Sequence, residues 1–158
     1  EKVERLVLID SPCPIALDPL PARLHVFFDQ IGLLGTGKPG GTPSWLLPHF
    51  AATIKALTGY YPPPFPKELA PKTFAIWCTD GVCPNPDDPR PPPAEDEDPA
   101  PMKWLLNNRT DFGPNGWDTL VGGNSNMVIE SMADANHFSM MEGKKAGELS
   151  AFIARSMA

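Results

Sequence analysis

The segment at residues 5–12 constrains the fold most. Its apolar run Leu6-Val7-Leu8-Ile9 does not alternate with polar residues, which is typical of a parallel strand that is covered on both faces. Asp10 follows directly, and Ser11-Pro12 ends the regular structure. In an open α/β sheet, the groups that do chemistry lie just beyond the carboxyl ends of strands. Asp10 is therefore a candidate catalytic acid.

Two further segments have the composition of strands, at residues 73–79 and 127–132. Helical patterns lie between and after the strands, at residues 24–31, 45–57, 102–109 and 145–156. This alternation predicts an α/β domain with a parallel sheet. A sheet of only three parallel strands would leave its two edge strands unpaired, although strands of this apolar kind are normally buried. In addition, the sequence does not begin with Met. We therefore expect a piece of a longer polypeptide whose sheet continues in residues outside this chain.

Composition argues against several classes of function. The chain has 158 residues, of which 42% are hydrophobic, enough for one domain with a real core. The net charge of −6 offers no basic surface for nucleic acid or an anionic membrane, and no apolar run approaches the roughly 20 residues of a membrane span. Cys13, Cys78 and Cys83 lack the spacing of a zinc site and cannot all pair with one another. We predict free thiols, no metal and a cytoplasmic location.

Two proline-rich segments separate the predicted strands. Residues 18–66 hold two apolar helical patterns on flexible Gly/Pro joints, which fits a lid over a site or, equally, a helical pair packed on the sheet. Residues 84–101 contain eight prolines and six acidic residues, so this segment cannot bury enough apolar surface to order itself. We predict a solvated loop there, with no catalytic part.

A histidine completes the candidate chemistry. The loop after the third predicted strand delivers His137, and a closing helix follows. An acid after an early strand and a histidine after a late one match the second half of a hydrolase triad in the chain order Ser…Asp…His. Spacing alone favours the alternative, in which Asp10 caps a turn and His137 is a structural loop residue. Asp80 also ends a strand and competes with Asp10.

The remaining candidates are weaker. His25 and His49 lie within the helical patterns of residues 18–66 and not beyond a strand end, which favours structural or rim positions. The chain contains no Gly-x-Ser-x-Gly elbow. Ser125 follows glycines, but it lies between a loop and a strand, whereas an elbow needs a strand, a turn and then a helix. Cys78 and Cys83 have no nearby histidine in the sequence, so we predict unreactive thiols.

Five strings in the sequence carry a resemblance to a known family. They are Leu6-Val7-Leu8-Ile9-Asp10-Ser11-Pro12-Cys13-Pro14, Leu20-Pro21-x-Arg23-Leu24-His25, Ile31-Gly32-Leu33-Leu34-Gly35, Trp45-Leu46-Leu47-Pro48-His49-Phe50 and Asn108-Arg109-Thr110-Asp111-Phe112-Gly113-Pro114-Asn115-Gly116-Trp117. Together they resemble the C-terminal thioesterase/Claisen-cyclase domain of fungal non-reducing iterative polyketide synthases. The likeness extends over nearly the whole chain, and the last string is its most specific part.

The resemblance implies a fold and a set of roles. Residues 1–158 would form part of a thioesterase domain, namely the C-terminal half of the mostly parallel sheet of an α/β-hydrolase, with residues 18–66 as a helical lid. Asp10 would be the triad acid and His137 the triad base, which demotes Asp80. The side chains that would line or cover a chamber for an aromatic polyketide are Leu24, Phe27, Phe28 and Phe50.

The resemblance also implies a reaction. The acyl chain would arrive on the phosphopantetheine of the synthase's acyl carrier protein, with no cofactor bound by this domain itself. It would pass to a serine and leave by Claisen/Dieckmann cyclisation or by hydrolysis. That serine should lie upstream of Glu1, so this chain alone should be inactive. The alternatives are a hydrolytic acyl-thioesterase and, if the serine is truly missing, a non-catalytic acyl-binding remnant.

Overall fold

The computed structural model describes residues 2–15, 17–35 and 37–158. Three strands form one sheet: β1 (Arg5–Ile9), β2 (Lys72–Cys78) and β3 (Met127–Met132). Four α-helices accompany them: α1 (Ala22–Gln30), α2 (Leu46–Leu57), α3 (Ala100–Leu106) and α4 (Gly143–Met157). Short 3-10 helices lie at Trp117–Thr119, Asn124–Asn126 and Ser139–Met141.

The sheet has the order β1-β2-β3, and both strand pairs are parallel. Leu8 of β1 is opposite Ala75 of β2, and Ala75 is in turn opposite Ile129 of β3. The carboxyl ends of the three strands therefore meet at one edge of the sheet, which brings residues 10, 79 and 133 close together. The predicted α/β architecture with a parallel sheet is confirmed.

Each face of the sheet has its own hydrophobic cluster, which is why the strand sequences read as nearly continuous apolar runs. On one face, Ile76, Cys78 and Met132 pack with Leu149 and Phe152 of α4. On the other face, the packed residues come from the strands and from the loop before β3: Leu8, Ala75, Trp77, Leu120, Val121 and Met127. The helix predicted at residues 145–156 is confirmed as α4, although it begins slightly earlier, at Gly143.

A third cluster lies away from the sheet faces. It joins Leu24, Phe27 and Phe28 of α1 to Leu34, Cys83 and the α3 residues Met102, Leu105 and Leu106. None of these residues belongs to a strand, so α1 packs on α3 and does not lie flat on the sheet. The expectation of a helical pair packed on the sheet is wrong for α1. The helical pattern predicted at residues 24–31 ends one residue early, because Ile31 follows the helix and is 40% exposed.

The acidic segment is more tightly attached than its composition suggests. Arg90 donates to the Cys83 carbonyl at 3.1 Å and to Asn107 Oδ1 at 2.8 Å. Arg23 of α1 donates to the Pro92 carbonyl at 3.0 Å and forms an ion pair with Asp98. The loop also ends two residues earlier than predicted, because residues 100 and 101 form the first turn of α3, where proline needs no hydrogen-bond partner.

Candidate active site

Asp10 is held directly beyond the end of β1. Its backbone amide extends the strand ladder by donating to the Ile76 carbonyl at 2.9 Å. Its φ of 42° is in the left-handed region, which aspartate tolerates better than most residues. The side chain is buried, with 1% exposure. An uncommon backbone conformation at a buried acid fixes the direction of its carboxylate and is typical of a functional position.

The carboxylate of Asp10 has a partner on each oxygen. Oδ1 accepts from the Cys78 backbone amide at 2.8 Å and from Arg109 Nη2 at 2.9 Å. Oδ2 lies 3.1 Å from Nδ1 of His137. The same Nδ1 is also 3.1 Å from the Asp10 carbonyl oxygen. Because a carboxylate and a carbonyl can only accept, Nδ1 carries the proton and Nε2 is left as the basic nitrogen.

The loop after β3 sets the position of His137. Asp134 has a φ of 51°, and the Ala135 carbonyl accepts from the Asp80 amide at 3.0 Å. The Asn136 side chain then accepts from the amides of residues 138 and 139, both at 3.0 Å. These bonds form a tight turn that projects the imidazole toward Asp10. The His137 side chain is 39% exposed, so its free edge can reach a ligand.

Arg109 is a site residue that sequence reasoning did not identify. Its side chain is only 8% exposed, and it binds Asp10 as well as the Cys78 carbonyl, through Nε at 3.0 Å. Burial lowers the pKa of the guanidinium, while the charges of Asp10, Cys78 and Asp111 act in the opposite direction. The sequence did contain an indication of its importance, since Arg109 lies inside the most specific of the five strings that carry the resemblance. What the string could not show is that Arg109 folds back onto Asp10, 99 residues away.

Trp104 was also missed as a site residue. Its ring lies 4.3 Å from the Arg109 guanidinium, and the ring centroids of Trp104 and His137 are 5.4 Å apart in an edge-to-face arrangement. Phe138 makes a second edge-to-face contact with His137, at 5.3 Å. The imidazole is thus confined by two aromatic rings and one carboxylate, which restricts its rotation.

A mostly apolar cavity of about 240 Å³ opens beside His137. It is somewhat smaller than the usual 300–1,000 Å³ of ligand pockets. Its lining comes from α1 and the segments on either side of it, from α2 and α3, and from the histidine loop: Leu20, His25, Phe28, Leu34, Phe50, Thr53, Ile54, Leu57, Leu105, His137 and Phe138. A larger apolar cavity, about 420 Å³, is lined in part by Trp104, Cys13 and Ile15. We regard the smaller cavity as the site, because it contains His137.

The four residues predicted to contact substrate fall into two pairs. Phe28 and Phe50 line the cavity beside His137. Leu24 and Phe27 are buried in the α1–α3 cluster, with 0% and 4% exposure. The resemblance implied all four as one group and could not separate a cavity wall from the core behind it.

The competing candidates lie elsewhere. Asp80 accepts from its neighbour Thr79 at 2.8 Å, while His137 is bound to Asp10. His25 is a rim residue of the cavity, stacked on Phe50 with ring centroids 4.9 Å apart. His49 is exposed on α2. Ser125 is exposed just before β3 begins, at the sheet edge opposite His137.

The three cysteines are free thiols. Burial, together with the nearby charge of Asp10, raises the pKa of Cys78 to about 12. Burial also raises the pKa of Cys83. Both thiols are therefore protonated at neutral pH and poorly nucleophilic.

Within residues 2–15, 17–35 and 37–158, no helix is both long and apolar enough to cross a membrane. The same part of the chain contains no group of three or more His, Cys, Asp or Glu side chains that could hold a metal ion.

Comparison with known proteins finds polyketide synthases of fungi, which match nearly the whole chain. The chain is 69% identical over 149 residues to "Non-reducing polyketide synthase Preu8" of Preussia isomera, an alignment that covers 94% of this chain. It is similar to a segment of fungal non-reducing polyketide synthases. A second such synthase, PKS1 of Zymoseptoria tritici, is 61% identical over 97% of the chain. The conidial yellow pigment biosynthesis polyketide synthase melA of Penicillium expansum is 58% identical in an alignment that covers the whole of this chain.

The chain spans only 7% of the Preussia and Zymoseptoria synthases and 8% of the Penicillium synthase. No protein-family model matches it. All three relatives carry the name polyketide synthase. Which step the segment carries out has to be argued from the site.

Proposed function

We propose that this segment supplies the acid and the base of an acyl-transfer site that releases a finished polyketide from its synthase. The observation that carries the proposal is the Asp10–His137 pair, in which Oδ2 holds Nδ1 at 3.1 Å. This is the arrangement that a hydrolase triad needs for its base. The α/β-hydrolase fold, with residues 18–66 as a lid, is part of the same proposal and fits the parallel sheet and the crossover order of its elements.

In this mechanism, His137 Nε2 takes the proton of a serine hydroxyl as the serine oxygen attacks the thioester carbonyl of the carrier-bound chain. The carbon–sulfur bond breaks, and the carrier thiol leaves with the proton from His137. Asp10 stabilises the imidazolium that forms in between. The serine is expected upstream of Glu1, and the acyl carrier protein of the same synthase is the expected partner. We expect the domain itself to bind no cofactor.

The second half-reaction is a Claisen/Dieckmann cyclisation. His137 takes a proton from an acidic carbon of the polyketide, and that carbon attacks the acyl-serine carbonyl. A carbon–carbon bond forms, the serine–acyl bond breaks, and His137 returns the proton to the serine oxygen. Hydrolysis follows the same path with water in place of the carbon. The apolar cavity beside His137, walled by Phe28 and Phe50, favours the carbon nucleophile because it disfavours water.

The test uses the full-length synthase. His137→Ala and Asp10→Asn should each lower the rate of product release by roughly 10⁴-fold, the first by removing the base and the second by removing the acceptor that holds its tautomer. His49→Ala, an exposed histidine on α2, is the matched control and should release product normally. Product release at the unmodified rate in His137→Ala would rule out the assignment.

The same preparations separate the alternatives. A cyclised product supports Claisen/Dieckmann release, whereas a free carboxylic acid carrying oxygen from labelled water indicates a hydrolytic thioesterase. A fluorophosphonate adduct on an upstream serine locates the nucleophile. If the native polypeptide forms no adduct, this segment is a non-catalytic acyl-binding remnant and the catalytic proposal fails.

A further inference from the structure

The side chain of Arg109 is a buried cation that is held in place by several hydrogen bonds. A buried guanidinium is costly unless its donors are paired. Arg109 has an ion pair with Asp10 at 2.9 Å, and its Nε donates to the Cys78 carbonyl at 3.0 Å. Its backbone amide donates to the Thr79 carbonyl at 2.8 Å. Three separate bonds therefore fix Arg109 to the carboxyl ends of β1 and β2.

The flat face of the same guanidinium makes a different contact. It lies 4.3 Å from the centroid of Trp104 and 5.8 Å from that of Trp77. The edge-to-face contact of Trp104 with His137 continues from this stack, at 5.4 Å. Arg109 therefore touches two of the three groups that confine the imidazole, Asp10 at Nδ1 and Trp104 at the ring, and it does not line the cavity beside His137.

We propose that Arg109 is a positioning residue for His137, acting through the Asp10 carboxylate on one side and the Trp104 ring on the other. This inference rests on the proposed function, in which His137 is the base. Arg109 and the Cys78 amide together occupy Oδ1 of Asp10, so the carboxylate cannot rotate and Oδ2 remains aimed at Nδ1. A planar cation is needed because one group must both donate to a carboxylate and stack on an indole.

The experiment measures release by the full-length synthase, with an aromatic acyl thioester of N-acetylcysteamine as the substrate. Active sites are counted with a fluorophosphonate. Arg109→Lys keeps the positive charge but loses the several fixed donors and the planar shape of the guanidinium. The value of kcat should therefore fall about tenfold while KM stays within about twofold. Arg109→Met removes the charge as well. Its kcat should fall about 100-fold, again with KM within about twofold.

The matched control is Arg155→Met, which removes an exposed arginine of α4 that pairs with Glu130 of β3. It should leave both kcat and KM unchanged. If both Arg109 variants have the unmodified kcat, the inference is wrong. If Arg109→Met yields no folded protein, Arg109→Lys decides: the unmodified kcat per active site overturns the inference, and a lowered kcat with unchanged KM supports it.

His137→Ala, measured in parallel, separates this inference from the function on which it rests. Release at the unmodified rate in His137→Ala overturns the proposed function. An inactive His137→Ala enzyme together with unaffected Arg109 variants overturns only the role of Arg109.

Discussion

Helices α1 and α2 have the same kind of apolar periodicity but occupy different environments. The shorter helix, α1, buries Leu24, Phe27 and Phe28. The longer and more apolar helix, α2, has no fully buried residue. Partly buried α2 residues only border the core, namely Leu46, Leu47 and Phe50. The comparison shows that periodicity predicts a helix and its apolar face, whereas the neighbours of that face decide whether it becomes core or cavity wall.

The difference matters for function because the cavity beside His137 lies between the two helices. Its walls from α1 and α3 belong to a packed cluster, and its wall from α2 does not. Gly40 and Gly59 flank α2 with positive φ values of 67° and 76°, and the space around each is open. If residues 18–66 are a lid, α2 is the part of them that can move most easily, since it would break the fewest buried contacts.

The largest difference should appear in stability. Leu24→Ala removes a fully buried side chain of α1 and should lower the free energy of unfolding by about 2–5 kcal/mol. Leu57→Ala makes the same change on α2, where the side chain is 38% exposed, and should cost about 0.5 kcal/mol or less. Urea denaturation followed by tryptophan fluorescence measures both. Equal losses would mean that α2 is as much a part of the core as α1.

A smaller effect is expected on substrate binding. Phe50→Ala removes a cavity wall from α2 and should raise KM several-fold, with a stability loss of about 1 kcal/mol or less. Phe27→Leu is the control, because Phe27 lies in the core behind the cavity and the change should cost roughly 1 kcal/mol of stability. Its KM should not change. Steady-state kinetics on the synthase would contradict the comparison if the two variants changed KM equally.

The smallest effect should be a dependence of stability on pH, which arises at the contact between α1 and α2. Burial lowers the pKa of His25, which stacks on Phe50, so the folded state disfavours its protonated form. The unfolded chain then binds more protons, and stability should fall as pH drops below the ordinary histidine value of about 6.5. His25→Phe keeps an aromatic ring and should reduce this dependence. An identical pH profile in both proteins would show that protonation of His25 does not weaken the contact.

Much of the fold could be predicted because its signals are local. The run Leu6-Val7-Leu8-Ile9 and the segment Met127–Met132 form strands at the predicted positions, since a chain covered on both faces must be apolar throughout. The ends of helices were less predictable. Residues 100 and 101 belong to α3, although their composition matches the acidic loop before them.

The candidate site could be predicted only in part. Asp10 and His137 were recognised because each follows a strand, and the resemblance strengthened both assignments. Arg109 and Trp104 follow no such rule, because their importance arises from contacts with each other and with residues 10 and 137. Contacts between residues so far apart leave no spacing in the sequence that an argument from pattern can detect.

By itself, the sequence determined the alternation of strands and helices and the strand ends from which Asp10 and His137 could act. It did so because backbone preference and apolar period are properties of neighbouring residues. Only the tertiary structure decided that His137 pairs with Asp10 and not with Asp80, that Arg109 is buried against that pair, and that Phe28 and Phe50 face a cavity while Leu24 and Phe27 do not. Those outcomes depend on which surfaces pack together, and packing joins residues that the sequence keeps apart.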